Sequence, residues 1–140
     1  MVQRVLHFVT RSWTEHMALL WIWNIMVVLH VGMGVAVLAG GERRFSIPSY
    51  QPLIDMSDGR TWLWGAWVLC AGLLMTMPAR WPQIVGLWLG MCWNIIWSAL
   101  FSVAMVQYPT ASATAAVAYI GFAMLDAALL TARVIERGKG

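Results

Sequence analysis

The sequence predicts an all-α integral membrane protein, with four transmembrane helices and a short N-terminal interfacial helix in a single membrane domain over residues 1–140. Two observations lead to this fold class. Hydrophobic residues make up 61% of the chain and charged residues 11%, whereas soluble domains carry about 25% charged residues. The charged residues also leave three uncharged intervals, 16–41, 61–79 and 81–125, which are long enough for the roughly 20-residue helices that cross a bilayer.

The four predicted spans follow from these intervals. The first two cover about 17–40 and 61–78. The third interval is too long for one helix, and Tyr108-Pro109-Thr110 supplies a turn there, because proline is disfavoured in a helix interior. We therefore divide it into spans over about 83–107 and 111–132.

The positions of the basic residues predict the orientation. An even number of spans places both termini on one side, and cytoplasmic loops are enriched in Lys and Arg. The segments that share a side with the termini contain six of the nine basic residues: Arg4, Arg11, Arg80, Arg133, Arg137 and Lys139. Both termini are therefore expected in the cytoplasm, and the protein in the inner (cytoplasmic) membrane as a multi-pass protein.

Residues 1–12 have apolar side chains on one helical face and basic ones on the other, which is typical of a helix lying in the membrane interface. Ser12 and Glu15 have the spacing of a capping box, which predicts a break before the first span. Two alternatives remain. One is a single helix that extends the first span into water. The other is a cleaved signal peptide ending near Ala39, although its apolar region would exceed the usual length of about 7 to 15 residues.

Asp126 is the only charged residue inside a predicted span. An ionised carboxylate near mid-bilayer costs about 2.5 to 3.5 kcal/mol, roughly what the apolar residues around it return. The fourth span should therefore need partner helices or a protonated Asp126. We predict Asn24 as its hydrogen-bond partner, because both lie at similar depth from the cytoplasmic helix ends. A structural hydrogen bond, a contact with Arg133 and a proton-linked or ion-pathway role all remain open for this carboxyl group.

Small and polar residues recur every four positions in the third span: Gly86, Gly90, Asn94, Ser98 and Ser102. The two glycines have GxxxG spacing, which lets helix backbones approach closely, and the amide and hydroxyl groups can hydrogen-bond across such a contact. We call these five residues the third-span stripe. It predicts a packing face, either within one chain or between copies, and Asn94 is also a candidate intramembrane polar residue.

No motif in the sequence indicates catalysis, a metal or a cofactor. Cys70 and Cys92 lie inside spans and are expected to be packing residues, and no residue pair has metal-ligand spacing. His30 is the only histidine in a predicted span, so a haem held by two histidines would need a ligand from another helix or chain. We therefore expect no enzymatic activity, no cofactor and no nucleic-acid partner.

The run Glu42–Leu53, ERRFSIPSYQPL, and the following Thr61–Trp67, TWLWGAW, resemble the small Trp-rich four-span proteins called holin-like, which phages of actinobacteria encode beside lysis genes. The resemblance covers the whole chain in size and topology. It implies a protein that oligomerises in the cytoplasmic membrane and permeabilises or depolarises it to time host lysis. It assigns no role to any residue, because the family has no diagnostic motif.

Two other functions remain open. A small proton-coupled transporter would use Asp126 as its titrating group. An accessory or regulatory membrane subunit would use the third-span stripe and the N-terminal helix for docking. The expected partners are the lipid bilayer and either further copies of this chain or another membrane protein.

Overall fold

The computed structural model describes residues 2–40, 45, 50–108 and 113–135, and for residues 2–16 it describes the backbone. The helices in this part of the chain are α1 (Val2–Gly40), α2 (Gln51–Met56), α3 (Trp62–Thr76), α4 (Arg80–Gln107) and α5 (Ala113–Ile135). The described part of the chain is therefore all-helical, as predicted. Within it, three helices are long and apolar enough to cross a membrane, over Met17–Gly40, Arg80–Gln107 and Ala113–Ile135.

The second predicted span, α3, is shorter than expected. Its 15 residues rise about 22 Å at about 1.5 Å each, which is less than the roughly 30 Å of the hydrocarbon core. The helix ends because Met77 is extended (φ −67°, ψ 144°), the conformation favoured by a residue that precedes proline, here Pro78. By length and composition, three of the described helices qualify as spans, where the sequence predicted four.

The predicted break at Ser12–Glu15 is absent from α1. The backbone remains helical from Val2 to Gly40, so α1 extends the first span by about four turns. A capping box forms where the chain before it is not helical. Residues 2–31 contain no glycine or proline that would interrupt the helix there.

The other helix ends differ from the predicted bounds by a few residues. α4 begins at Arg80 rather than at 83, with Pro82 in its first turn. Proline is tolerated there because the N–H that it lacks would have no partner within the helix. α4 ends before Tyr108, which is extended and precedes proline. The predicted turn residues Pro109 and Thr110 lie outside the described residues, and α5 continues to Ile135.

α3 packs between α1 and α4, and α4 packs against α5. Glycines permit the closest approaches. A Cβ atom on Gly34 of α1 would lie 2.6 Å from the Cβ of Leu69 on α3, and one on Gly86 of α4 would lie 2.7 Å from the Ala71 carbonyl oxygen. Both distances are too short for any side chain, so α3 contacts its two neighbours through glycine surfaces.

Contacts at one end of the bundle establish the helix directions. Arg80, at the start of α4, donates a hydrogen bond from Nη2 to the carbonyl oxygen of Arg133, near the end of α5. The Arg133 guanidinium lies 4.9 Å from the ring centre of Trp23, in the first half of the α1 span. α1 and α4 therefore start at this end, which we call the basic end. A cation beside the last carbonyls of α5 also stabilises that helix through its dipole.

The outer surface of the bundle is apolar. Large apolar side chains are exposed on α1, α3, α4 and α5, among them Trp21, Val28, Leu73, Trp88, Val117 and Met124. Soluble proteins rarely expose apolar patches of this extent, whereas lipid tails cover such a surface favourably. The exterior is that of a multi-pass membrane protein.

Candidate functional site

Three polar side chains meet in the interior of the bundle. His30 of α1, Asn94 of α4 and Asp126 of α5 are each 0% exposed. Asn94 donates a hydrogen bond from Nδ2 to Asp126 Oδ2 at 2.9 Å. The Nε2 atom of His30 lies 3.4 Å from the same carboxyl oxygen and 3.4 Å from Asn94 Nδ2. We call these three residues the polar cluster.

The polar cluster lies near the middle of the three candidate spans. Counted from the first residue of each span, His30 is 13 residues along, Asn94 is 14 and Asp126 is 13. At about 1.5 Å per residue this is about 20 Å from the start of each span. An uncompensated charge at that depth is expensive, so the charge state of the cluster matters.

The contacts of His30 determine which ring nitrogen faces Asp126. His30 Nδ1 lies 2.7 Å from the Met26 carbonyl oxygen, and since a carbonyl oxygen only accepts, Nδ1 must carry a hydrogen. Nε2 is then the ring nitrogen that faces Asp126 Oδ2. A protonated imidazole there would compensate the charge of a carboxylate, whereas a buried carboxylate without such a partner would be strongly disfavoured.

Gly90 makes room for this pair. A Cβ atom on Gly90 would lie 2.5 Å from His30 Nε2 and 3.2 Å from Asp126 Oδ2. No side chain fits there without displacing the imidazole or the carboxyl group. The absence of a side chain at this position therefore lets α4 approach both groups.

Two acceptors of the polar cluster are left without partners. Asn94 Oδ1 and Asp126 Oδ1 are buried and accept no hydrogen bond from any described residue. Buried side-chain acceptors are usually satisfied. The cluster therefore retains the capacity to accept hydrogen bonds from a small donor.

Four of the five residues in the third-span stripe lie at contacts with other helices. The two glycines face α3 and the polar cluster, as described above, and Asn94 belongs to that cluster. Ser98 Oγ donates to the Ala116 carbonyl oxygen of α5 at 2.8 Å. Ser102 differs, because it is exposed and donates to the Ser98 carbonyl oxygen of its own helix. The stripe thus packs helices within one chain.

The prediction that Asn24 is the partner of Asp126 is wrong. Asn24 is exposed, and its Nδ2 donates to the Leu20 carbonyl oxygen one turn earlier in α1, at 2.9 Å. Asn24 and His30 are six residues apart, so they lie about 120° apart around a helix with about 3.6 residues per turn. Similar depth along the helix was not sufficient to predict the partner of Asp126. The face of α1 that carries His30, rather than the face that carries Asn24, is turned towards Asp126.

His30 is the site residue that sequence reasoning left out of the site. A signal for it was present, because Met26, His30, Gly34 and Val37 have the spacing of one helical face. Met26, His30 and Val37 are buried in the structure, and Gly34 contacts α3. The sequence did not reveal that this face meets α4 and α5.

A cavity of about 290 Å³ lies between α1, α4 and α5. One face of α1 forms part of its wall, together with Phe45, Tyr50, Trp93, Trp97 and Tyr119. The rings pack against one another, with centroids 4.6 Å apart for Trp93 and Trp97 and 5.4 Å apart for Trp97 and Tyr119. We call this space the aromatic cavity.

The described residues contain no group of three or more His, Cys, Asp or Glu side chains that could hold a metal ion. Cys70 and Cys92 are free. The polar cluster consists of an imidazole, a carboxyl group and an amide that donates a hydrogen bond to the carboxyl.

Comparison of the chain with protein-family models, with curated proteins and with solved structures finds no match. The function must be inferred from the polar cluster, the aromatic cavity and the apolar exterior.

Proposed function

We propose that this chain is a small four-span protein of the cytoplasmic membrane, with both termini in the cytoplasm. The path of the chain supports a fourth crossing by α3. α1 starts at the basic end and ends at Gly40, and α4 starts at the basic end with Arg80. The chain between them must return across the bundle, and α3 makes that return. The distribution of the basic residues favours the cytoplasm for the basic end.

The proposed activity is holin-like: copies of the chain assemble in the bilayer and permeabilise or depolarise it. The supporting observation is that the polar cluster is 0% exposed while the outer surface is apolar. A single chain with this packing can accumulate in lipid without opening an aqueous path. A lesion would need the polar faces of α4 and α5 to turn outward, and the polar cluster opposes that turn. The resemblance of Glu42–Leu53 and Thr61–Trp67 to holin-like proteins points to the same activity.

The test is controlled expression in a bacterial host with a dye that reports membrane potential. The wild-type chain should accumulate without effect and then collapse the potential after a delay, because assembly must reach a threshold. Asp126→Asn keeps hydrogen bonding but removes the titrating group, so it should change the delay and leave the collapse itself intact. Asn24→Ala is the matched control, because Asn24 bonds only the backbone of its own helix, and it should keep the wild-type delay.

Sustained potential and normal growth at high expression would rule out the holin-like proposal. An accessory or regulatory subunit would then be the function to test, by co-purification of a partner membrane protein. Equal shifts in delay for Asp126→Asn and Asn24→Ala would show that the polar cluster does not control the timing.

A proton-coupled transporter is the second candidate, and one observation favours it. His30 Nε2 lies 3.4 Å from Asp126 Oδ2 near mid-span, and a histidine beside an acid inside a span is an arrangement expected of an intramembrane proton relay. In this case Asp126→Asn should abolish proton-linked uptake, and expression of the wild-type chain should leave the resting potential unchanged.

A further inference from the structure

One side of α3 is exposed along the whole length of the helix. The side chains of Trp62, Cys70, Leu73 and Met77 are exposed, and their spacing places them on one helical face. We call these four residues the α3 face. The other sides of α3 pack against α1 and α4. On the four-span path proposed above, the α3 face is therefore the side of this helix that lipid contacts.

The α3 face is shorter than the apolar surface elsewhere on the bundle. The 15 residues of α3 rise about 22 Å. The packing of α4 gives a similar distance, because Trp93 of α4 donates to the Trp64 carbonyl oxygen near the start of α3, and the 13 positions from Arg80 to Trp93 rise about 20 Å. In contrast, the 23 residues of α5 rise about 34 Å. A hydrocarbon core of about 30 Å thus matches α5 and exceeds α3 by about 8 Å.

Contacts within the chain keep α3 from adjusting to a thicker bilayer. Trp64 Nε1 donates to the Leu53 carbonyl oxygen at one end, and exposed Arg60 precedes the helix there. At the other end the Arg80 guanidinium donates to the Arg133 carbonyl oxygen, so it is held against α5 instead of extending towards the lipid headgroups. A hydrophobic surface that is too short and cannot move is accommodated by local thinning of the bilayer.

From these observations we propose that the α3 face is a binding surface for phospholipids with short acyl chains, which it selects over long-chain phospholipids. The proposal rests on the crossing of the membrane by α3 and not on the holin-like activity. The partner is set by length, because short chains cover the α3 face without drawing the polar groups at its two ends into hydrocarbon.

Fluorescence quenching at one labelled cysteine tests the proposal. Cys92→Ala leaves Cys70, near the middle of the α3 face, as the only site for a thiol-reactive fluorophore. The control carries Cys70→Ala, Cys92→Ala and Met124→Cys, which places the same fluorophore on α5 at a side chain that is 69% exposed. Both full-length proteins are reconstituted in equal mixtures of dimyristoleoyl and dierucoyl phosphatidylcholine. One of the two lipids in each sample carries bromine atoms on its chains, which quench on contact.

The fluorophore on Cys70 should report relative binding that favours the short-chain lipid by about two- to tenfold, because each ångström of mismatch adds a modest cost. The fluorophore on Met124→Cys should show no such preference, since α5 is long enough for either lipid. An equal preference for the short-chain lipid at both sites would overturn the proposal, because the preference would then belong to the fluorophore.

Two other results would also overturn the proposal, and they separate it from the crossing by α3. Strong and equal quenching of the Cys70 fluorophore by the two brominated lipids would leave α3 in the hydrocarbon core without the selection of short chains. Weak quenching by both lipids, together with strong quenching by iodide in the water, would show that α3 does not cross, and the proposal would fail with the four-span path.

Discussion

At the scale of single residues, the polar cluster answers the energetic problem posed by Asp126. A lone ionised carboxylate at mid-span costs about 2.5 to 3.5 kcal/mol. His30 Nε2 lies 3.4 Å from its Oδ2 and would offset the charge when protonated, and Asn94 supplies a hydrogen bond to Oδ2. The cost that made α5 marginal in isolation is therefore reduced by two other helices, which ties the insertion of α5 to its packing.

A double-mutant cycle should detect this compensation. His30→Leu should destabilise the protein by about 3 kcal/mol or more, because it leaves a buried carboxyl group without its partner. Adding Asp126→Leu should restore much of that loss, since an apolar pair no longer buries an unpaired group. Reversible unfolding in mixed detergent micelles measures both free energies. Strictly additive losses would contradict the coupling of His30 to Asp126.

A second substitution at this scale tests the space that Gly90 provides. Gly90→Ala should destabilise the fold by about 1 to 3 kcal/mol, because the new Cβ would lie 2.5 Å from His30 Nε2. Gly121→Ala places the same methyl group in open space and should change stability little. Thermal unfolding in detergent compares the two, and equal midpoints would show that α4 does not pack closely against the imidazole.

At the scale of helices, the sequence predicted most of what local chemistry controls. The uncharged intervals predicted the long helices, and Pro78 and Pro109 predicted to within a few residues where α3 and α4 end. Local chemistry did not determine which faces meet. The capping-box spacing in α1 was misleading because no breaker supports it, and Asn24 was matched to Asp126 by depth without regard to rotation about the helix axis.

The contact between α1 and α3 gives a prediction at this scale. Gly34→Ala should separate the two helices, because its Cβ would lie 2.6 Å from the Leu69 Cβ and 2.7 Å from the Leu69 backbone. Gly32→Ala, two residues earlier, meets nothing within 4 Å and is the control. Faster proteolysis of Gly34→Ala than of Gly32→Ala in detergent is the expected result, and equal rates would contradict the close packing of α3 on α1.

At the scale of the whole molecule, the proposed four-span path depends on a helix that is too short by itself. The 15 residues of α3 do not span the hydrocarbon core, yet α1 and α4 start at the same end of the bundle. The ends of α3 are therefore held by other parts of the chain rather than by lipid. Trp64 Nε1 donates to the Leu53 carbonyl oxygen at one end, and the extended Met77 continues the path towards Arg80 at the other. A short central helix can cross when longer helices flank it or when the bilayer thins locally.

This path leads to the last prediction, which concerns the two termini. If α3 crosses, the number of crossings is four and both termini lie in the cytoplasm, with Arg80 and Arg133 on the same side in accord with the positive-inside rule. If α3 does not cross, three crossings place the termini on opposite sides. Alkaline phosphatase, which is active only outside the cytoplasm, should be inactive when fused after residue 140 and active when fused after Gln107. A cytoplasm-dependent reporter at the same two positions should give the reverse pattern. Phosphatase activity at the C-terminus would contradict the crossing by α3 and the four-span topology with it.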